Sequence, residues 1–235
     1  MKLSYFDEFV KAANVELPDE WRDVIDCLAN GNVPKSFPDI RAIDDLTGLF
    51  SLDEDLNDYK SKIEGMVQGS IAPMMLKDAV NSLGMFGYIS EAGAKFLAKR
   101  YEGKTIIDPM AGRGWFAKAM RAQGVKVIAG DLHADKITTV TDVLTMDAEE
   151  LVSKYKDEAD ILMLNWSPYD EDCDFRAASS WGADKLIVFY GELGMCCGSP
   201  QFASSYSVGA NVTEFPDLNC AVLRRLGYYE GHFRT

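Results

Sequence analysis

The 235-residue sequence predicts an α/β protein. It would have a mostly parallel sheet with helices on both faces, an antiparallel strand at the C-terminal edge, and a helical region in front. Three observations predict this. From about residue 85, short apolar runs of the buried-strand kind alternate with helical segments, the pattern of parallel strands joined by crossover helices. One of those runs enters a glycine-rich turn that opens a helix. The tail then carries strand-like runs with no helix between them.

The front region, residues 1–80, reads as helices. Phe6, Phe9, Val10 and Ala13 lie at helical spacing. Pro18 opens a second helix whose apolar face is Trp21, Val24, Ile25 and Leu28, and Asn30-Gly31 ends it. Residues Gly31–Pro38 form a connector with two prolines and a glycine. A third stripe runs Leu52, Leu56, Tyr59, Ile63, Met66. These stripes are expected to be core or partner-facing surface rather than chemistry. The sequence divides accordingly into a helical extension (1–80) and an α/β domain (85–235).

Charge narrows the partners. The chain carries a formal net charge of −13, and residues 1–80 hold 16 acidic against 8 basic side chains. Such a surface repels phosphate backbones and anionic lipid. Sequence-independent duplex DNA binding and a membrane patch are not expected, and the acidic front helices offer a surface to a protein partner. No apolar run approaches the ~18 residues that a membrane span needs. The first residues are charged too early for a secretory core, so a cytoplasmic location is expected. Five cysteines, an odd number without a C-x-x-C, suit reduced thiols. With His133 and His232 the only histidines, no metal site is expected, and Cys196 or Cys197 has no base beside it to act as a nucleophile.

In the second region Gly84–Ile89 reads as a loop, and Ser90 caps a helix that runs through Tyr101 and stops at Gly103. Lys104–Ile107 is a strand. Trp115–Gln123 is a helix ending at Gly124, and Val125–Ala129 is the next strand. Leu144–Tyr155 is helical in its later part. Ala159–Leu164 and Lys185–Tyr190 are strands. Ser199-Pro200 reads as the N-cap and first position of a helix over Phe202. Ala210–Phe215 and Cys220–Leu226 read as an antiparallel pair joined at Pro216-Asp217.

The chemistry concentrates in Asp108-Pro109-Met110-Ala111-Gly112-Arg113-Gly114-Trp115. A buried strand meets an acid, then a tight turn, then a helix. Gly112 and Gly114 let backbone approach a ligand where a Cβ would collide, and a nucleotide-like ligand fits the carboxyl end of such a strand. A dinucleotide fold would place a third glycine at position 117, where this chain has Ala. A carboxylate beside the turn also suits a cationic ligand end better than a phosphate, so a nicotinamide oxidoreductase is the poorer reading. Asp131, ending the next strand before Leu132 and His133, can accept from both ribose hydroxyls. Asp147, with the Ala148 N–H after it, can meet the amino group and a ring nitrogen of adenine. Each acid taken singly also reads as a helix cap; the order of the three carries the inference.

On these residues the chain resembles the class I S-adenosylmethionine (SAM)-dependent methyltransferases, over about residues 85–235. Within that superfamily it resembles a group of small methyltransferase-like proteins carrying a W-P-P-Y-like and a G-E-x-x-G-C-x-G-like segment. The matching stretches are Trp166-Ser167-Pro168-Tyr169 and Gly191-Glu192-Leu193-Gly194-Met195-Cys196-Cys197-Gly198. The resemblance implies a Rossmann-like sheet and SAM as cofactor. It implies cofactor contacts from Asp108, Met110, Ala111, Gly112, Gly114, Asp131, Leu132, Asp147 and Ala148.

The methyl acceptor belongs at the end of the fourth strand, where Asn165, Trp166 and Tyr169 are the candidate catalytic residues, with Glu192 from the fifth strand. Amino-methylating enzymes often have D/N-P-P-Y/F there: carbonyls accept the target N–H bonds while the ring stacks on a planar substrate. This chain departs from that pattern. Aligning Pro168-Tyr169 puts Trp166 in the amide position, and aligning Asn165 puts Trp-Ser where Pro-Pro belongs. A proline-stiffened loop over the cofactor is the competing reading. Glu192 can orient or deprotonate a substrate, or cap a helix. The expected activity is methyl transfer to an N or O acceptor of unknown identity, whether small molecule, protein or nucleobase. The alternative is a non-catalytic SAM-binding or protein-interaction module on the same fold.

Overall fold

Simple alternation along the strands sorts the side chains onto two faces. In the computed structural model, which describes residues 19–38, 76–183, 185–194, 196–219 and 226–234, Ile106, Ile161, Met163, Val188 and Tyr190 enter one apolar cluster. Their neighbours Ile107, Leu162, Leu164, Ile187 and Phe189 enter another. A strand buried on both faces reads as a continuous apolar run for this reason.

The described elements follow in chain order. Helix α1 is Asp19–Ala29, α2 Glu91–Arg100, β1 Thr105–Asp108, α3 Trp115–Ala122, β2 Lys126–Asp131 and β3 Leu144–Thr145. Then come α4 Ala148–Tyr155, β4 Ile161–Asn165, α5 Cys173–Trp181, β5 Leu186–Gly191 and α6 Pro200–Ser205. Strand β6 is Tyr206–Asn211, a 3-10 turn covers Pro216–Asn219, and β7 is Gly227–Phe233. Residues 76–82 are also helical.

One seven-stranded sheet has the order β3-β2-β1-β4-β5-β7-β6. Strands β1 to β5 are parallel, and β7 pairs antiparallel with both β5 and β6. The chain runs from β1 outward to β3 and then returns to β4 on the other side of β1, so the crevice between β1 and β4 is a topological switch point.

Helices α1, α2 and α3 pack on one face and α4, α5 and α6 on the other. The predicted α1 stripe of Trp21, Val24, Ile25 and Leu28 is buried. It shares a cluster with Leu97 of α2 and Trp115 of α3. Ser90 caps α2, its Oγ accepting from the Gly93 N–H at 3.0 Å, a cap that stabilises a helix by about 1 kcal/mol. Asp217 in turn accepts from Ser90 Oγ at 2.5 Å and from the Ser90 N–H at 2.9 Å, tying the 3-10 turn to α2. Ser199 caps α6 as expected. The stripes read at Phe6–Ala13 and Leu52–Met66 lie outside the described residues, as do Pro18 and residues 220–225.

The tail corrects the sequence reading. An antiparallel pair is present, with strands at 206–211 and 227–233; the first lies earlier than the expected 210–215, and residues 220–225 of the second expected strand lie outside the described residues. Glycines masked it. At Gly231 a Cβ would stand 2.2 Å from the Ser207 carbonyl oxygen, so the close backbone of the neighbouring strand demands glycine where composition suggests a break. Leu144–Thr145 forms a short edge strand before its helix. Helix α5 had no strong stripe to announce it, because its buried face includes Cys173, Ala177 and Ala178, small residues that let it lie close to the sheet.

Candidate functional site

Four chain segments meet at the carboxyl ends of β1, β2, β4 and β5. The first is the glycine turn. Beyond Asp108 the Ala111 N–H donates to the Gly130 carbonyl at 2.9 Å, and the Gly112 N–H donates to Asp131 Oδ2 at 2.9 Å. Asp131 Oδ1 accepts from the His133 N–H at 2.9 Å. Asp131 therefore pins the turn to the tip of β2. Gly112 is left-handed at φ 54°, and among the described residues no heavy atom lies within 4 Å of the place a Cβ would occupy, so the turn presents bare backbone to open space. Gly114, at φ 83°, is the N-cap of α3; a Cβ there would meet Val143 and Thr141 side-chain carbons at 2.8 and 2.9 Å.

Asp108 is the chemical focus. It is fully buried, and among the described residues neither carboxylate oxygen has a hydrogen-bond partner. Burial first, and the negative charge of Asp131 second, push its carboxyl up to about 8, with Arg121 and then the Met110 backbone N–H pulling the other way. A buried carboxylate with so little hydrogen bonding calls for an explanation.

The second segment is 84–89, the predicted loop. Leu83 carbonyl accepts from Arg113 Nη1 at 2.7 Å and from Trp115 Nε1 at 3.0 Å, which fastens the start of the segment to the glycine turn. At its other end a Cβ on Gly87 would stand 1.8 Å from Asn165 Oδ1. The segment thus bridges the turn after β1 and the tip of β4. Phe86 remains 47% exposed.

The third segment follows β4. Asn165 Oδ1 is buried against Gly87 and has no partner among the described residues. Trp166 has φ 55°, the only non-glycine left-handed residue among those described, a conformation costing about 1 kcal/mol. Its N–H donates to the Tyr190 carbonyl at 2.9 Å, and its ring packs against both cores. Pro168 and Tyr169 are exposed.

The fourth segment follows β5. Glu192 is 8% exposed, and its N–H donates to Cys197 Sγ at 2.8 Å. Burial pushes the Cys197 and Cys173 thiols up to about 12, so both are protonated and poorly nucleophilic near neutrality.

Sequence reasoning missed the residue that joins the last two segments. Asp174, fully buried on α5, accepts from Ser167 Oγ at 3.0 Å and from the Ser199 N–H at 2.8 Å through Oδ2, and from the Phe175 N–H at 2.7 Å through Oδ1. Ser167 carbonyl also accepts from the Gly198 N–H at 2.9 Å. No local pattern could announce this, since the donors come from two loops more than twenty residues apart.

Not every predicted residue has a free acceptor. Asp147 is the N-cap of α4, accepting from the Glu149 N–H at 2.9 Å, with Arg176 Nη1 and Nη2 each 3.4 Å from its carboxylate. Burial works against it, but Arg176 and the Glu149 and Glu150 N–H groups hold its carboxyl below the usual range. Ala148 is buried at the start of α4, whereas Leu132 is 53% exposed and Met110, half-buried, lies 3.3 Å from Cys173 Sγ. Among the described residues no cluster of three metal-ligating side chains occurs, and no helix is long and apolar enough to cross a membrane.

The sheet order, with its antiparallel β7 inserted beside β5, is a Rossmann-like α/β fold with helices on both faces. No protein-family model matches the chain, and no curated protein matches it. Among solved structures, a SAM-dependent methyltransferase from Archaeoglobus fulgidus aligns at 20% identity over 48% of this chain and 58% of its own, with a TM-score of 0.34. A ribosomal protein L11 methylase from Lactobacillus delbrueckii subsp. bulgaricus aligns at 14% identity over 61% of this chain and 77% of its own, with a TM-score of 0.36. The 1,6-didemethyltoxoflavin-N1-methyltransferase of Burkholderia thailandensis, with 1,6-didemethyltoxoflavin and S-adenosylhomocysteine bound, aligns at 11% identity over 79% of this chain and 93% of its own, with a TM-score of 0.41.

Proposed function

We propose that the chain is a SAM-dependent methyltransferase acting on an N or O acceptor. The observation that carries this reading is Asp108: a buried carboxylate with two unpartnered oxygens, at the switch point of the sheet, beside a glycine turn whose Gly112 faces open space. That combination suits a nucleoside whose far end carries positive charge and N–H donors.

SAM supplies a methyl group on a sulfonium, already activated for transfer. The chain's own residues bind and orient. Asp108 holds the cationic amino-acid end, the Met110–Gly114 turn gives the backbone approach, and Asp131 accepts from the ribose hydroxyls with the lone pairs its two N–H bonds leave over. Leu132 lies along the base. The base edge meets the Ala148 N–H end of α4, while Arg176 already engages Asp147, so that carboxylate contributes less than its sequence position suggests. Segment 84–89 and the loop carrying Asn165, Trp166 and Tyr169 wall the acceptor side, with Glu192 between β5 and Cys197. Transfer then depends on in-line positioning, and Asp174 sets that geometry by clasping the two acceptor-side loops. The acidic front helices take a protein partner or substrate.

One observation favours the second reading, cofactor binding without transfer. Asn165 Oδ1 is covered by Gly87 instead of facing an acceptor. Titration calorimetry with SAM and S-adenosylhomocysteine tests the shared part; no heat with either at millimolar ligand ends both readings. Incubation of the protein with radiolabelled SAM and a cell lysate then separates them. A labelled product lost in Asp108→Ala supports transfer, and saturable binding without any label supports the module.

A further inference from the structure

We propose that Asp108 takes up the ammonium end of its ligand by giving up a proton: the ligand-free protein holds a neutral carboxylic acid, and binding converts it into a carboxylate paired with the ammonium. This rests on the reading of the crevice as a nucleoside-sulfonium site and adds a proton linkage to it.

The geometry comes first. Asp108 ends β1 with no exposure, neither oxygen has a hydrogen bond of good geometry among the described residues, and the Met110 backbone N–H gives the charged form only minor support. An ionised carboxylate in such a place loses its hydration with little in exchange. The charged groups whose fields reach it are Asp131 from β2 and Arg121 from α3. Asp131 is an acceptor already engaged with the Gly112 and His133 N–H groups, so it offers Asp108 no donor. Arg121 spends its guanidinium elsewhere, donating to Thr141 Oγ1 at 3.1 Å, the Asp142 carbonyl at 2.7 Å and the Val127 carbonyl at 2.8 Å. At the end of β4 Asn165 Oδ1, covered by Gly87, is another buried acceptor without a donor among the described residues. The surroundings therefore favour the neutral acid, consistent with the carboxyl standing at about 8.

An arriving ammonium reverses the balance. It brings the opposite charge and several N–H donors to within hydrogen-bond distance, both of which favour the carboxylate. Only the O–H bond of Asp108 breaks. Its proton leaves to solvent, and the ligand ammonium keeps all of its own.

Calorimetry in two buffers of different ionisation heat, phosphate and Tris, counts protons released per ligand bound. With S-adenosylhomocysteine we expect close to one proton at pH 7, and an affinity that rises about tenfold between pH 6.5 and 8. 5′-Deoxy-5′-methylthioadenosine has the same nucleoside and no ammonium. It is expected to bind with no proton release and no such pH dependence, which assigns the release to the ammonium rather than to the nucleoside. Asp108→Asn keeps the shape without the titration and is expected to bind S-adenosylhomocysteine without releasing a proton. S-adenosylhomocysteine binding with no proton released at pH 7 overturns the linkage and leaves the proposed function standing. Release with methylthioadenosine as well overturns it too. Failure of both nucleosides to bind removes the site reading and the linkage together. Should Asp108→Asn not fold, the two nucleosides on the native protein decide the matter alone.

Discussion

Asp131 and Gly112 are joined across the crevice rim: the carboxylate that ends β2 accepts the N–H of a left-handed glycine in the turn after β1. One side chain thereby sets the shape of the turn and places itself beside any ligand lying over it. The two partners should respond differently to substitution. Asp131→Ala removes the acceptor of both the Gly112 and His133 N–H groups and is expected to cost about 2 kcal/mol of stability together with ligand binding. Gly112→Ala strains the backbone by about 1 kcal/mol, yet its methyl meets no described neighbour. It should lose affinity for S-adenosylhomocysteine by a larger factor than its modest loss in melting temperature implies. Thermal melts and calorimetry on both variants check this.

Asp108 gives the ligand-free protein a distinctive pH dependence. Its carboxyl stands at about 8 in the folded chain, against an ordinary carboxylate value of about 4 in the unfolded chain. Between those values the folded state binds the additional proton, so this group's contribution to stability is full below about pH 4 and declines as pH rises through about 8. Denaturant melts of native protein and Asp108→Asn across that window should diverge, with the variant gaining on the native chain toward the alkaline end. Parallel curves would show that Asp108 is not the group responsible.

Asp174 holds two loops and its own helix at once. Asp174→Ala leaves the Ser167 hydroxyl and the Ser199 and Phe175 N–H groups without their acceptor, a loss expected to cost about 3 kcal/mol. Asp174→Asn keeps one acceptor oxygen and should lose less. If Asp174 acts only through positioning, the residual folded protein should keep its S-adenosylhomocysteine affinity, contributed by β1 and β2, while methyl transfer falls. Equal losses of both would contradict that division.

The approach of Gly87 to Asn165 invites a double-mutant cycle. Gly87→Ala drives a Cβ to 1.8 Å from Asn165 Oδ1 and should destabilise by about 2 kcal/mol through overpacking. Asn165→Ala removes both that obstacle and a buried acceptor without a partner. The double variant should be more stable than Gly87→Ala alone, with a coupling of about 1 kcal/mol measured by chemical denaturation.

The alternation of apolar and helical segments, the glycine turn and the order of strand-end acids were legible along the chain because they are local. Strand β1, Asp108 and Gly112 occupy adjacent stretches of sequence, and Ser90 and Ser199 announce helices within a few residues. The tail was legible only in kind: an antiparallel pair whose described strands, 206–211 and 227–233, meet where Gly231 answers to the backbone of Ser207 and not to its own neighbours. Asp147 illustrates the opposite gap. Its position after β3 is sequential, but its engagement with Arg176 depends on a helix nearly thirty residues on. Asp108 was visible as an acid beside a turn; its complete burial next to Asp131 follows from the place of β1 between β2 and β4. A hydrogen bond or its absence is a fact about distance in space, and chain order specifies such distances only within a turn or two.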